Sequence, residues 1–191
     1  PAYEKTAEGA KAERFVDDLL GKMTLEEKLG QMSQIPLNQP QDVTPDERIL
    51  KGQVGSFLFI TDAKEIDRLQ HLAVERGPHH IPLIFAFDVV HGFRTIYPVP
   101  LALAASWDPS VAEKAESMAA REASAVGVRW TFAPMVDIAR DPRWGRIMEG
   151  AGEDPYLDSA MAAAEVRGFQ GPGIGSANHI LACVKHFAGY G

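Results

Sequence analysis

Apolar residues recur at helical spacing near the start of the chain and gather into short runs further along. Within residues 10–23, Phe15, Val16, Leu19, Leu20 and Met23 form one stripe, which predicts a helix. Thr24-Leu25-Glu26-Glu27 has the form of a capping box, in which the threonine and the glutamate three residues on satisfy each other's backbone N–H groups, so a second helix is expected to start there. Residues 36–45 are polar and proline-rich and read as a surface loop. A repeating pattern then sets in. Residues 54–60 read as a buried strand, residues 62–76 as an amphipathic helix with Asp62 as N-cap, and residues 81–87 as a second strand. Asp108-Pro109 opens a helix through residue 125, with aspartate as cap and proline at the first helical position. Residues 130–136 read as a third strand, Asp154-Pro155 opens a helix to about residue 169, and residues 180–187 read as a fourth strand.

Strands alternating with helices imply parallel strands joined by crossovers, so the expected class is α/β with about four strands. A closed (β/α)8 barrel needs eight strands and typically ~250 residues. The pattern therefore fits either a small open sheet or the first half of a TIM-like barrel. The end at Gly191, directly after the fourth run, favours a barrel domain whose N-terminal portion occupies residues 1–191 and is truncated after the fourth strand. No internal repeat, low-complexity tract or interdomain linker interrupts the pattern.

Composition narrows the partners. The chain is 46% hydrophobic and 24% charged over 191 residues, enough for one medium domain with a real core. A net charge of −7 with no basic run argues against nucleic acid. No apolar stretch approaches the ~20 residues that span a bilayer, so no membrane partner is expected. A single cysteine, Cys183, excludes an intrachain disulfide without fixing the compartment. No signal peptide opens the sequence, and Pro1-Ala2-Tyr3 reads as a processed or trimmed start. No Cys/His spacing suggests zinc, and no glycine-rich phosphate loop follows a strand, so neither metal nor cofactor is expected.

In parallel sheets the ligand site lies at the carboxyl ends of the strands. The unusual polar residues gather there: Asp88, His91 and Arg94 after the second run, residues 137–149 after the third, and Lys185, His186 and Tyr190 at the end of the fourth. The densest group is Asp141-Pro142-Arg143-Trp144-Gly145-Arg146-Ile147. Arginine offers a planar fork of donors and tryptophan a flat apolar face, a pair suited to sugars, with their hydroxyl rims and C–H faces. The same turn also reads as a structural Arg–Asp brace. Asp88 reads as a ligand-binding acid or as the cap of a following helix. His91 reads as structural, and Arg94 as a possible partner of Asp88. Lys185 reads as a ligand group or as a rim lysine paired with Asp137 or Glu149. Neighbours on a strand point to opposite faces, so for Lys185 and His186 to share a ligand the backbone must bend. His79-His80 lie before a strand and read as surface loop residues at the other end.

Taken together, several stretches resemble glycoside hydrolase family 3, the β-glucosidase family, and above all its bacterial periplasmic members. They are Met23-Thr24-Leu25-Glu26-Glu27-Lys28-Leu29-Gly30-Gln31-Met32, Phe87-Asp88-Val89-Val90-His91-Gly92, Ala133-Pro134-Met135-Val136-Asp137, residues 140–146, Gly152-Glu153-Asp154-Pro155-Tyr156-Leu157 and Lys185-His186-Phe187-Ala188-Gly189-Tyr190-Gly191. They run through nearly the whole chain in the family's order. The resemblance implies a (β/α)8-type barrel and retaining removal of glucose from the non-reducing end of β-glucosides or cello-oligosaccharides, in the periplasm or outside the cell. It implies that Asp88 accepts hydrogen bonds from glucose hydroxyls, that Arg146 and Lys185 donate to them, and that His186 binds beside them. It also implies unusual peptide geometry at Lys185-His186-Phe187. Retaining hydrolysis needs a nucleophile and an acid/base carboxyl about 5–5.5 Å apart. The family's positions for both lie beyond Lys-His-Phe, so no catalytic residue is assigned within this chain. The rest of the same enzyme is its expected partner, and the chain alone is expected to be inactive. Glu149, Glu153 and Asp137 match structural positions. Ala188-Gly189-Tyr190-Gly191 stands where the family's β-N-acetylhexosaminidases typically carry Pro-Gly-His-Gly, which favours a glucosidase. β-Xylosidase activity and a non-catalytic sugar-binding fragment remain as alternatives.

Overall fold

In a computed structural model that describes residues 6–191, the elements run α1 (Ala7–Lys22), α2 (Leu25–Gln31), β1 (Gln34–Pro36), α3 (Pro45–Leu50), β2 (Ser56–Leu58), α4 (Ala63–Arg76), β3 (Ile84–Phe87), α5 (Pro100–Ala104), α6 (Pro109–Ala125), β4 (Trp130–Thr131) and α7 (Pro155–Gln170). The capping signals are realised in each case. Thr24 Oγ1 accepts the Glu27 N–H at 3.2 Å while Glu27 Oε2 accepts the Thr24 N–H at 2.8 Å, so both halves of the capping box form. Asp108 accepts the Ser110 N–H at 2.9 Å and Asp154 the Tyr156 N–H at 2.8 Å, each followed by proline at the first helical turn.

The strands hydrogen-bond in the order β1-β2-β3-β4, and β3 pairs with β4 in parallel, Ala86 facing Trp130 and Phe87 facing Thr131. The order follows the sequence without reversal. A doubly wound sheet reverses its order at a switch point, whereas a singly wound barrel does not. The topology is therefore that of consecutive barrel strands. Four strands are expected and four are present among the described residues, but they are not the same four. The run at 180–187 is extended chain beside β4, joined by two isolated parallel bridges, Trp130 to Leu181 and Met135 to Lys185. Between those bridges stands Pro134, which has no N–H to donate to a ladder. The same proline cuts the run at 130–136 down to β4. The carbonyls still serve: Ala133 O accepts the Cys183 N–H at 2.8 Å and Pro134 O the Lys185 N–H at 3.0 Å. β1, α3 and α5, which are only three, six and five residues long, complete the set.

By its contacts the chain divides into two compact units, one up to Phe57 together with Asp67–Leu83, the other Leu58–Ile66 together with Ile84–Gly191. In the first, the Gly55 and Ser56 N–H groups both donate to Ser33 O, at 3.1 and 3.3 Å. Gly30 on α2 packs so closely on the Gly52 carbonyl that no side chain fits between them. His79, expected on a surface loop, instead reaches Glu27 Oε2 at 3.1 Å and is largely buried.

The second unit carries two apolar clusters. One joins Val89, Ala119, Ala120, Ala123, Phe169 and Ile180, and the other includes Leu103, Ala112, Ala115 and Met161. The buried face of α6 is built from small residues, so α7 approaches it closely; a Cβ on Gly168 of α7 would lie 2.5 Å from the Glu113 carbonyl. Glu116 on α6 and Asp158 and Glu165 on α7 are buried as well. Burial raises all three carboxyls, with Glu116 pushed up to about 9 and Glu165 to about 8.

Candidate functional site

Asp88 follows β3 directly, and no helix begins after it until α5, so the helix-cap reading of this residue is set aside. Its Oδ1 lies 3.7 Å from Lys185 Nζ, with the lysine side chain 14% exposed and the carboxylate 41%. The rim pairing of Lys185 with Asp137 or Glu149 gives way to this contact. Burying an ammonium is costly without a partner, and Asp88 supplies one from the end of β3, on the other side of β4. Arg94, the expected partner of Asp88, instead lies over the Phe93 ring at 5.9 Å, and its backbone N–H donates to Glu122 at 2.8 Å. His91 is structural as read, with Nδ1 3.0 Å from Tyr97 O.

The peptide bond between Lys185 and His186 is cis, the unusual geometry expected at this segment. His186 turns to Asp137: its backbone N–H donates to Asp137 Oδ2 at 3.1 Å and its ring Nδ1 lies 2.9 Å from the same oxygen. Asp137 is buried, while the histidine side chain keeps 32% exposure.

Arg146 makes a two-bond fork with Glu149, Nε to Oε1 and Nη2 to Oε2, both at 2.6 Å. Its third bond runs from Nη1 to the Tyr190 hydroxyl at 2.8 Å, and the guanidinium carbon lies 5.3 Å from that ring's centre. The pair with Glu149, helped by Tyr190, holds the Arg146 guanidinium above the ordinary arginine range. Glu149 is held below the usual carboxylate range, chiefly by its hydrogen bonds to Arg146 against its own partial burial, with the Lys185 ammonium adding to the effect. Tyr190 is the hub of the group, since His186 lies against it at 4.2 Å and Trp144 meets it edge-on at 5.5 Å. Asp141 and Arg143 form an exposed, self-contained pair at 2.6 Å.

Asp88, Arg146, Lys185 and His186 thus come to one end of the strands. Tyr190 and Asp137 join them as organisers. Neither role is visible in the sequence, because the partners lie 44 and 49 residues away along the chain. Beside Asp88 opens a cavity of about 410 Å³ lined by Thr61, Phe87, Phe93 and Arg94. Another, about 420 Å³ and including Arg129, Gln170 and His179, opens at the opposite, N-terminal end of β4, away from this cluster. Among the described residues no group of three or more His, Cys, Asp or Glu side chains is placed to hold a metal ion. The cluster offers a carboxylate acceptor, two cationic donors and an imidazole around aromatic surface. That set suits a neutral ligand dense in hydroxyl groups, and it provides no activated nucleophile.

Residues 24–191 match the family described as Glycosyl hydrolase family 3 N terminal domain. A periplasmic beta-glucosidase of Salmonella typhimurium is 42% identical over 93% of this chain and 23% of its own length. A beta-xylosidase of Formosa agariphila is 34% identical over 99% of this chain and 23% of its own. The crystal structure of a beta-glucosidase from Listeria innocua in complex with isofagomine superposes with a TM-score of 0.82 at 38% identity, over 91% of this chain and 25% of that one. The chain spans about a quarter of the length of the curated relatives it matches.

Proposed function

The chain belongs to glycosyl hydrolase family 3, and from that premise we propose that it supplies the sugar-binding half of the active site of a retaining β-glucosidase acting in the periplasm or outside the cell. Residues 1–191 are the N-terminal portion of the barrel domain on this reading. Asp88 accepts from the hydroxyls of the terminal glucose, Arg146 and Lys185 donate to them, and His186 binds alongside. Charge-assisted hydrogen bonds of this kind hold the ring and help distort it toward the oxocarbenium-like transition state. The nucleophile and the acid/base carboxyl come from the remainder of the same enzyme.

One observation carries the reading: the Asp88–Lys185 pair and the Arg146–Glu149 fork stand at the ends of successive strands around one cluster. Periplasmic residence is favoured by the Salmonella relative, and no helix among the described residues is long and apolar enough to cross a membrane. The whole protein carrying this chain is expected to cleave p-nitrophenyl β-D-glucoside with retention at the anomeric carbon. Asp88→Asn should lower kcat/KM by about 100-fold, the worth of charge-assisted bonds lost in the transition state. Inversion in the product, seen by NMR, or an unimpaired Asp88→Asn enzyme would contradict the proposal. A second reading, β-xylosidase, is favoured by the Formosa relative, and preference for the β-xyloside over the β-glucoside would establish it.

A further inference from the structure

His186 offers the site more than a flat ring. Asp137 Oδ2 already accepts the His186 backbone N–H at 3.1 Å, so it is also the acceptor toward Nδ1 at 2.9 Å, and Nδ1 carries the hydrogen. Tyr190 lies against the ring at 4.2 Å with the planes 55° apart, which holds its tilt. Nε2 takes no hydrogen bond among the described residues, and the side chain is about one-third exposed. We infer that Asp137 is a positioning residue that fixes His186 as the Nδ1–H tautomer, so that Nε2 is presented to the sugar as a hydrogen-bond acceptor.

The chemistry of the ligand makes such an acceptor useful. Every sugar hydroxyl both donates and accepts. Arg146 and Lys185 only donate, so a subsite holding those two and Asp88 would have one accepting side chain, already facing Lys185, for several hydroxyl hydrogens. A neutral imidazole with its bare nitrogen aimed outward adds the second. Left alone in water, the neutral ring favours the other tautomer, with the hydrogen on Nε2; it would then add a third donor. A carboxylate or carbonyl partner on one ring nitrogen is how proteins select the state of the other. The inference rests on the glucose-binding reading of the site, and its test separates the two.

The test uses the whole protein labelled with ¹⁵N-histidine, with His186→Gln to assign the signal. Two-bond ¹H–¹⁵N spectra of the neutral ring should report hydrogen on Nδ1. Asp137→Ala should move it to Nε2 and raise KM for p-nitrophenyl β-D-glucoside by about 10- to 100-fold, the worth of a misplaced hydrogen bond, with kcat changed less. Asp137→Asn keeps an oxygen that accepts both N–H groups, so it should retain the Nδ1–H tautomer and KM within about threefold. An Nε2–H tautomer in the unaltered protein overturns the proposal, as does an Asp137→Asn protein as impaired as Asp137→Ala. Should Asp137→Ala fail to fold, the unaltered and Asp137→Asn spectra decide. A protein with the Nδ1–H tautomer that cleaves no β-glucoside removes the glucosidase reading and leaves the positioning role standing.

Discussion

Arg146 commits three N–H donors to protein groups, two to Glu149 and one to Tyr190. A guanidinium has five, so two remain for a ligand, held in a plane that the Glu149 fork has already fixed. This division between anchoring and binding is what the sequence could not specify. On residue chemistry alone its dense polar turn reads equally as a brace or as a site, and the family resemblance gives Arg146 to the site and Asp141, Arg143 and Trp144 to the brace. Asp141 and Arg143 pair with each other in the open, while Trp144 and Arg146 face Tyr190. A lysine at 146 keeps the charge but offers a compact ammonium with no fork. It cannot hold both Glu149 oxygens and the Tyr190 hydroxyl and still donate to a sugar. Arg146→Lys in the whole protein should therefore lower kcat/KM on the aryl glucoside by about 100-fold, the upper end of what one charged hydrogen bond is worth, with little change in Tm. A lysine variant within about twofold of the parent in kcat/KM, against the 10-fold or more that one charged bond is worth, would mean that the fork is dispensable.

At the scale of elements, legibility followed local chemistry. Helices α2, α6 and α7 were read at their N-termini because a capping side chain and its backbone partner lie within three residues. The same signal at Thr44-Pro45, where the threonine accepts the Glu47 N–H at 3.3 Å, is hidden at the end of a polar, proline-rich stretch because α3 is only six residues long. The run at 180–187 misled for a different reason: strand pairing depends on the neighbour, and the neighbour contains Pro134. The packing of α6 against α7 was not legible either, since a stripe of alanines gives no sign that acids lie among them. Glu116 has neither carboxyl oxygen hydrogen-bonded among the described residues, and it feels the charge of Glu165, which in turn feels Asp158. Both glutamates stay protonated in the folded state well above the pH at which they ionise in an unfolded chain. The folded form then binds more protons than the unfolded form between about pH 4.5 and the raised values near 9 and 8, so stability is greatest at the acid end and falls as pH rises through that window. Glu116→Gln removes the larger part of that dependence with little change in shape. The Tm of the transition belonging to this domain should fall from pH 5 to pH 9 in the parent and fall less in the glutamine variant. Parallel curves for the two would show that Glu116 ionises alike in both states.

For the molecule as a whole, the question is whether the site described contains the groups that break a glycosidic bond. An acid/base carboxyl must keep its proton near neutral pH, and a nucleophile must be ionised, unshielded and about 5–5.5 Å from it. The carboxylates of the cluster are otherwise engaged. Asp88 lies against Lys185, Asp137 holds both nitrogens of the His186 segment, and Glu149 is locked in the Arg146 fork and held below the ordinary range. The carboxyls strongly raised by burial, Glu116 and Glu165, are enclosed on α6 and α7 and touch no ligand surface. The carboxyls that keep their protons by burial are thus in the wrong place, and those of the cluster are engaged by cations and N–H donors. On the proposed reading binding and chemistry are separable, and residues 1–191 would supply only the first. The 191-residue chain by itself should release no p-nitrophenol from the aryl β-glucoside above the buffer rate, under conditions where the whole protein turns over at rates of about 1 per second or more. Turnover by the isolated chain, lost on Glu149→Gln, would instead place the acid within the fork and reverse the division of labour argued for Arg146.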